Sequence, residues 1–150
     1  MREMNLRIIH LAISVGLVIP LGVFYWLVSS GQVKPSLTEP LLFYVGMFIA
    51  VAAVIVSRLL PAALAGKLKL PGGGSVRATD LLAPYFQLKI IQWAVLEGAG
   101  LYQAVVYYLT GAEAALIIGG VLFVLLLVRR PSREDMRKML GLPDSVQIID

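Results

Sequence analysis

The chain contains no cysteine and a single histidine, His10. Without a thiol, disulfides, thiolate metal sites and cysteine nucleophiles are excluded, and the redox state of the compartment leaves no mark on the sequence. One histidine among scattered carboxylates makes no metal-binding set, and no cofactor motif is present. Charge is also scarce: 15% of residues are Asp, Glu, Lys or Arg, against about 25% in soluble domains. The triple glycine at 72–74 has no following G-K-[ST] and no preceding apolar strand, so it reads as a linker and not as a phosphate loop. What fills the space is apolar: 59% of the 150 residues are hydrophobic and the mean hydropathy is +0.85. That composition excludes an ordinary soluble domain and predicts an all-α integral membrane protein.

Four apolar stretches predict four membrane-spanning helices, at about 6–28, 41–60, 80–109 and 112–128, forming a single membrane domain with a tail over 129–150. Leu6 to Val28 would extend about 34 Å at ~1.5 Å per residue, enough for a hydrocarbon core of roughly 30 Å. Its length argues against a cleaved signal segment, and Phe24, Tyr25 and Trp26 form an interfacial aromatic belt. Pro20 is expected to kink it. The second stretch should end near Pro61, with Ser57 and Arg58 at the interface, before a surface piece and the glycine linker. Thr79 or Asp80 is a candidate N-cap for the third helix, with Pro84 in its first turns. Thr110 and Glu113 have the spacing of a capping box that would open the fourth. Beyond it, Ser132 and Asp135 suggest the start of a short amphipathic C-terminal helix touching membrane or protein through Met136, Met139 and Leu140.

The cations decide the expected orientation. With both termini cytoplasmic, that side receives Arg2, Arg7, Arg58, Lys67, Lys69, Arg77, Lys89, Arg129, Arg130, Arg133, Arg137 and Lys138, and the outer side receives only Lys34. Twelve against one satisfies the positive-inside rule, and three or five spans would break the pattern. The net charge of +4 therefore sets topology and does not imply a nucleic-acid partner.

Within the third stretch stands Glu97, whose nearest charged neighbours are Lys89 and Glu113. Counting twelve residues in from Leu109 places it about 18 Å from the outer end, near the bilayer midplane. A carboxyl there must lose its charge, find a partner or meet water. Glu97 is the candidate ion-binding or coupling residue, with His10, Gln92, Gln103 and Tyr102 as possible partners. The plainer alternative is a neutral Glu97 donating a hydrogen bond to a neighbouring helix. Gly98, Gly100, Gly119 and Gly120 are expected to permit close helix packing, with Gly100 and Gly119–Gly120 at similar depth. Lys89 should lie at the cytoplasmic boundary, its ammonium snorkelling outward.

The run I-I-Q-W-A-V-L-E-G-A-G-L-Y-Q-A-V-V, Ile90 to Val106, resembles the ion-binding helix of the rotary ATP synthase ring subunit, subunit c. That resemblance implies a proton-binding role for Glu97, beside the small Gly98 and the aromatic Tyr102. The chain departs from the pattern in lacking the glycine-repeat partner helix. L-E-G-A-G-L-Y before the fourth stretch and R-R-P-S-R-E-D at its exit also look like small four-helix bacterial membrane proteins of unassigned function, which implies the bacterial inner membrane.

The extramembrane segments are short and hold no nucleophile with a base, so no enzyme is expected and no catalytic residue is assigned. The leading expectation is an accessory or structural subunit that forms a homo-oligomer or joins a larger membrane complex. A proton- or ion-coupled translocation component using Glu97 is the alternative, and a carrier of small apolar or amphipathic molecules, bound in a cavity between the spans, a third.

Overall fold

A computed structural model describes residues 3–37, 40–66, 75–142 and 147–149. It contains helices α1 (Glu3–Ser29), α2 (Pro40–Ala65), α3 (Ala78–Thr110), α4 (Glu113–Val128) and α5 (Arg133–Met139). Strands β1 (Ser75–Arg77) and β2 (Gln147–Ile149) pair in parallel, Val76 opposite Ile148. Among the described residues the regular structure is thus helical apart from two three-residue strands. The cationic stretch and glycine run over 67–74 lie outside the described residues.

Two helices, α1 over Asn5–Ser29 and α2, are long and apolar enough to cross a membrane. They point to a membrane protein. The pair α4 and α5 meets the same criterion only when joined, and its two halves are bent by 102°. Apolar side chains cover much of the outside, including Leu11, Phe48, Leu59, Ile117 and Val128, the pattern expected where the surrounding solvent is hydrocarbon.

Helix α3 is the hub. It packs against α1, α2 and α4, which contact one another far less. Leu17, Leu81, Trp93, Leu96 and Leu126 are fully buried in the shared core. At one end of the bundle the loop after α1 returns onto α3: the Ser36 and Leu37 N–H groups both donate to the Leu109 carbonyl, at 3.1 Å each. Pro35 lies against Gly111 there. At the other end the first turns of α1 and α3 meet the α4–α5 turn around Leu6, Leu82, Pro131 and Met136. Helices α1 and α3 therefore run one way and α2 and α4 the other.

Several local expectations change. Helix α3 starts at Ala78 with Arg77 as N-cap, in extended conformation and without a side-chain cap bond, instead of at Thr79 or Asp80. The reason is that β1 runs directly into the helix. Thr110 does not open α4. It stays helical, its hydroxyl donating back to the Val106 carbonyl at 2.7 Å and accepting the Ala112 N–H at 3.2 Å. Gly111, at φ 70°, closes α3 by donating to the Tyr107 carbonyl at 2.7 Å, and Ala112 becomes the next N-cap. Both Pro20 and Pro61 lie inside continuous helices, and α2 runs on to Ala65. Ser132 does cap α5, accepting the Asp135 N–H at 3.1 Å. Met136 and Leu140 are buried in the core and Met139 packs against it.

The glycines divide into two groups. A methyl at Gly100 would sit 2.7 Å from Leu17 Cδ1 and 3.3 Å from its Cγ, and one at Gly119 would sit 2.9 Å from Leu21 Cδ2 and 3.8 Å from the Gly100 carbonyl oxygen. Gly98 and Gly120 have open space instead. Because Leu17 is fully buried and cannot retreat, Gly100→Ala should destabilise the fold by about 1–3 kcal/mol. Gly98→Ala should be neutral or slightly stabilising. Thermal or denaturant unfolding in detergent reads the difference, and equal effects at both positions would contradict the packing.

Candidate functional site

Polar side chains inside the bundle go to backbone carbonyls of neighbouring elements. Pro61 has no N–H, so the carbonyl of Ser57, four residues earlier in α2, has no helical partner. Gln92 Nε2 donates to it at 2.9 Å and Arg129 Nη1 at 3.3 Å. In the last turn of α4 the Leu126 carbonyl accepts the Arg129 N–H at 3.3 Å, and the Arg129 carbonyl lies just past the helix end. His10 Nε2 bonds the Leu126 carbonyl at 2.9 Å, which puts the ring proton on Nε2 because a carbonyl only accepts. Trp93 Nε1 donates to the Arg129 carbonyl at 3.2 Å, and the His10 and Trp93 rings lie 4.8 Å apart. Higher on α3, Gln103 Nε2 donates to the Gly46 carbonyl at 2.5 Å, while its Oε1 is buried with no hydrogen-bond partner among the described residues.

Lys89 anchors this end. Its side chain is fully buried, with Nζ 2.8 Å from Asp135 Oδ2 and 2.9 Å from Gln92 Oε1. The Arg129 carbonyl lies 3.5 Å away, and the ammonium stands 5.9 Å from the ring centres of both Tyr85 and Trp93. Tyr85 Oη donates to the same Asp135 oxygen at 2.6 Å. The expected snorkelling of Lys89 is replaced by an internal ion pair. The cap of α5 on Ser132 fixes the first turn so that Asp135 is brought over α3, and the ammonium then needs no water.

Outside the apolar stretches, burial and the neighbouring Arg58 guanidinium lower the basicity of Arg129, with Asp135 acting in the opposite sense. On exposed α5, Glu134 and Lys138 pair at 2.5 Å. Their hydrogen bond holds the Glu134 carboxyl below its usual range and the Lys138 ammonium above its own.

Glu97 stands apart from this network. It is half-buried, and a methyl on Gly16 of α1 would come within 2.8 Å of Glu97 Oε1. Gly16 lies four residues before Pro20, so its carbonyl is another that a proline has deprived of its donor. Among the described residues Glu97 has no hydrogen-bond partner in its ionised form. His10, Gln92 and Gln103 bond carbonyls elsewhere, and the Tyr102 ring lies near Gly46 on the α2 side. The structure therefore gathers none of the four around Glu97. Gln92 and Gln103, eleven residues apart, share the α2-facing side, while Glu97 points toward α1.

The residues not foreseen as part of the site include Gly16, Gly46, Ser57, Tyr85, Lys89, Trp93, Arg129 and Asp135. Two had a readable signal: the carbonyl four residues before a helical proline needs a new donor, which marks Gly16 and Ser57. Comparison with protein-family models, curated proteins and solved structures finds no match.

The Lys89–Asp135 pair should behave as a buried ion pair open on one side, Asp135 being 35% exposed. Lys89→Ala, which also opens a cavity, and Asp135→Ala, which strands a buried ammonium, should each cost up to about 3–5 kcal/mol. A Lys89→Met/Asp135→Leu double variant should cost much less than the two singles combined. A double-mutant cycle on unfolding in detergent measures this, and additive losses would refute the pairing.

Proposed function

We propose that this chain is a four-span integral membrane protein, with both termini cytoplasmic, that serves as a structural or accessory subunit of a membrane assembly. Helices α3 and α4 supply the third and fourth spans, although α3 carries charge and α4 has only 16 residues. Supporting this, α3 is flanked by two apolar helices and its polar groups Lys89, Gln92 and Gln103 bond inside the bundle, so hydrocarbon would meet chiefly apolar side chains. The charge asymmetry agrees: Arg7, Arg58, Arg129, Arg130 and Arg133 gather near one end and Lys34 lies near the other.

The observation that carries the subunit reading is the open face of α3. Ile90, Ala94, Gly98 and Val105 are exposed along it, with the half-buried Glu97 carboxyl at its edge. Small residues beside a polar group at mid-depth suit the approach of another membrane helix. A second copy or a larger membrane partner would cover that face.

A second reading rests on Glu97 alone. A protonated Glu97 beside Gly16 would hold its proton in the α1–α3 groove and release it to a passing ion, as the likeness to the ring-subunit helix implies. The two readings diverge under substitution. For the subunit, gentle detergent extraction should give a mass above the monomer. Gly98→Leu and Glu97→Leu should reduce it to the monomer with helicity retained, and a monodisperse wild-type monomer would refute the assembly. For coupling, Glu97→Gln should abolish proton or sodium flux in proteoliposomes, and unchanged flux would eliminate that role.

Topology has a direct test because the native chain carries no thiol. An impermeant maleimide should label Lys34→Cys in intact cells and Arg130→Cys only after permeabilisation. The reverse pattern would overturn the orientation.

A further inference from the structure

We infer that the cleft between the first turns of α1 and the α4–α5 turn binds the phosphate of an anionic phospholipid. The inference rests on the membrane reading above, which puts this end of the bundle at headgroup level. Two adjoining cavities open here, of about 240 and 400 Å³, and Arg7, Pro131 and Ser132 line both. Arg130 completes the second, while the first is floored by Leu6, Leu82 and Met136, each less than one-tenth exposed.

Charge and chemistry both suit a lipid phosphate. Arg7 and Arg130 are exposed and have no ion-pair partner among the described residues. The carboxylates closest in sequence on α5 are engaged elsewhere, Asp135 with Lys89 and Tyr85 and Glu134 with Lys138. Two guanidiniums offer forked N–H donors that match phosphate oxygens. The Ser132 oxygen already accepts the Asp135 N–H, leaving its own proton to donate. Arg133 also lines the first cavity. Below the arginines, exposed Ile8 and Leu11 on α1 and Val128 on α4 continue the surface as hydrocarbon. A free phosphate would use only the cationic rim, whereas a phospholipid also fits the apolar wall beneath it.

Native mass spectrometry of the detergent-solubilised chain tests this by titration with phosphatidylglycerol, phosphatidylcholine and inorganic phosphate. Phosphatidylglycerol should remain bound in preference to phosphatidylcholine, and equimolar inorganic phosphate should not displace it. The Arg7→Gln/Arg130→Gln variant should bind it about tenfold or more weakly, as loss of two interfacial cations predicts, while Lys34→Gln at the other end should bind as wild type. Circular dichroism on each single variant checks that these exposed substitutions leave the fold intact. Equal binding of the two lipids, wild-type affinity in the double variant, or displacement by inorganic phosphate would overturn the proposal. Alkaline carbonate extraction separates the premise from the inference. Release of the chain from membranes defeats both, whereas a retained chain without lipid preference defeats only the lipid site.

Discussion

A backbone carbonyl without a donor is costly wherever water is absent, and the polar ties of the bundle run from side chains to backbone carbonyls, the clearest being the one that Pro61 leaves without a donor. Pro61 frees the Ser57 carbonyl, the carbonyl of Arg129 lies past the end of α4, that of Leu126 in its last turn keeps only a 3.3 Å bond from the Arg129 N–H, and side chains from other elements come to meet them. Gln92, Arg129, His10 and Trp93 make these bonds at 2.9–3.3 Å. Each joins two helices, so a local defect in one helix becomes a directional tie to another. Apolar packing alone would leave rotation and sliding of the helices poorly specified, since hydrocarbon solvates Leu and Val about as well as a neighbouring helix does.

Lys89 extends the same logic to the tail. An ammonium taken out of water is strongly unfavourable unless paired and bonded on its remaining protons, and Asp135 and Gln92 provide those partners. Such a pair adds less net stability than its geometry suggests, because desolvation offsets the attraction. Its effect is to fix position: α5 is held across the end of α3, and Met136 and Leu140 enter the core with it. The same arrangement occupies Asp135, which leaves Arg7 and Arg130 without an ion-pair partner among the described residues at the end where the membrane reading places lipid headgroups.

Much of the helical framework was legible in the sequence because hydrocarbon-compatible runs of about twenty residues have few structural options. The expected stretch over 6–28 lies within α1, the second lies within a longer α2, and Ser132 caps α5. Boundaries were less legible where two signals competed. Thr110 and Glu113 have capping-box spacing, yet Gly111 in the left-handed region ends α3 one residue later and takes over that junction. The polar partners were less legible still. Glu97, His10, Gln92 and Gln103 all stand out in an apolar chain, but which of them meet depends on how α1, α2 and α4 are arranged around α3. Gly100 and Gly119 look no different in sequence from Gly98 and Gly120, and only the positions of Leu17 and Leu21 distinguish them.

By itself the sequence determined an apolar, thiol-free, largely helical chain, because composition and the order of apolar stretches survive any rearrangement of the helices. Tertiary structure alone decided that α3 is the hub, that Lys89 is buried against Asp135, and that Glu97 faces Gly16 and not the other polar residues. The physical reason is that these outcomes depend on the rotation of each helix about its axis. In this chain that rotation is tied to bonds to particular carbonyls on neighbouring elements, which no single stretch of sequence contains.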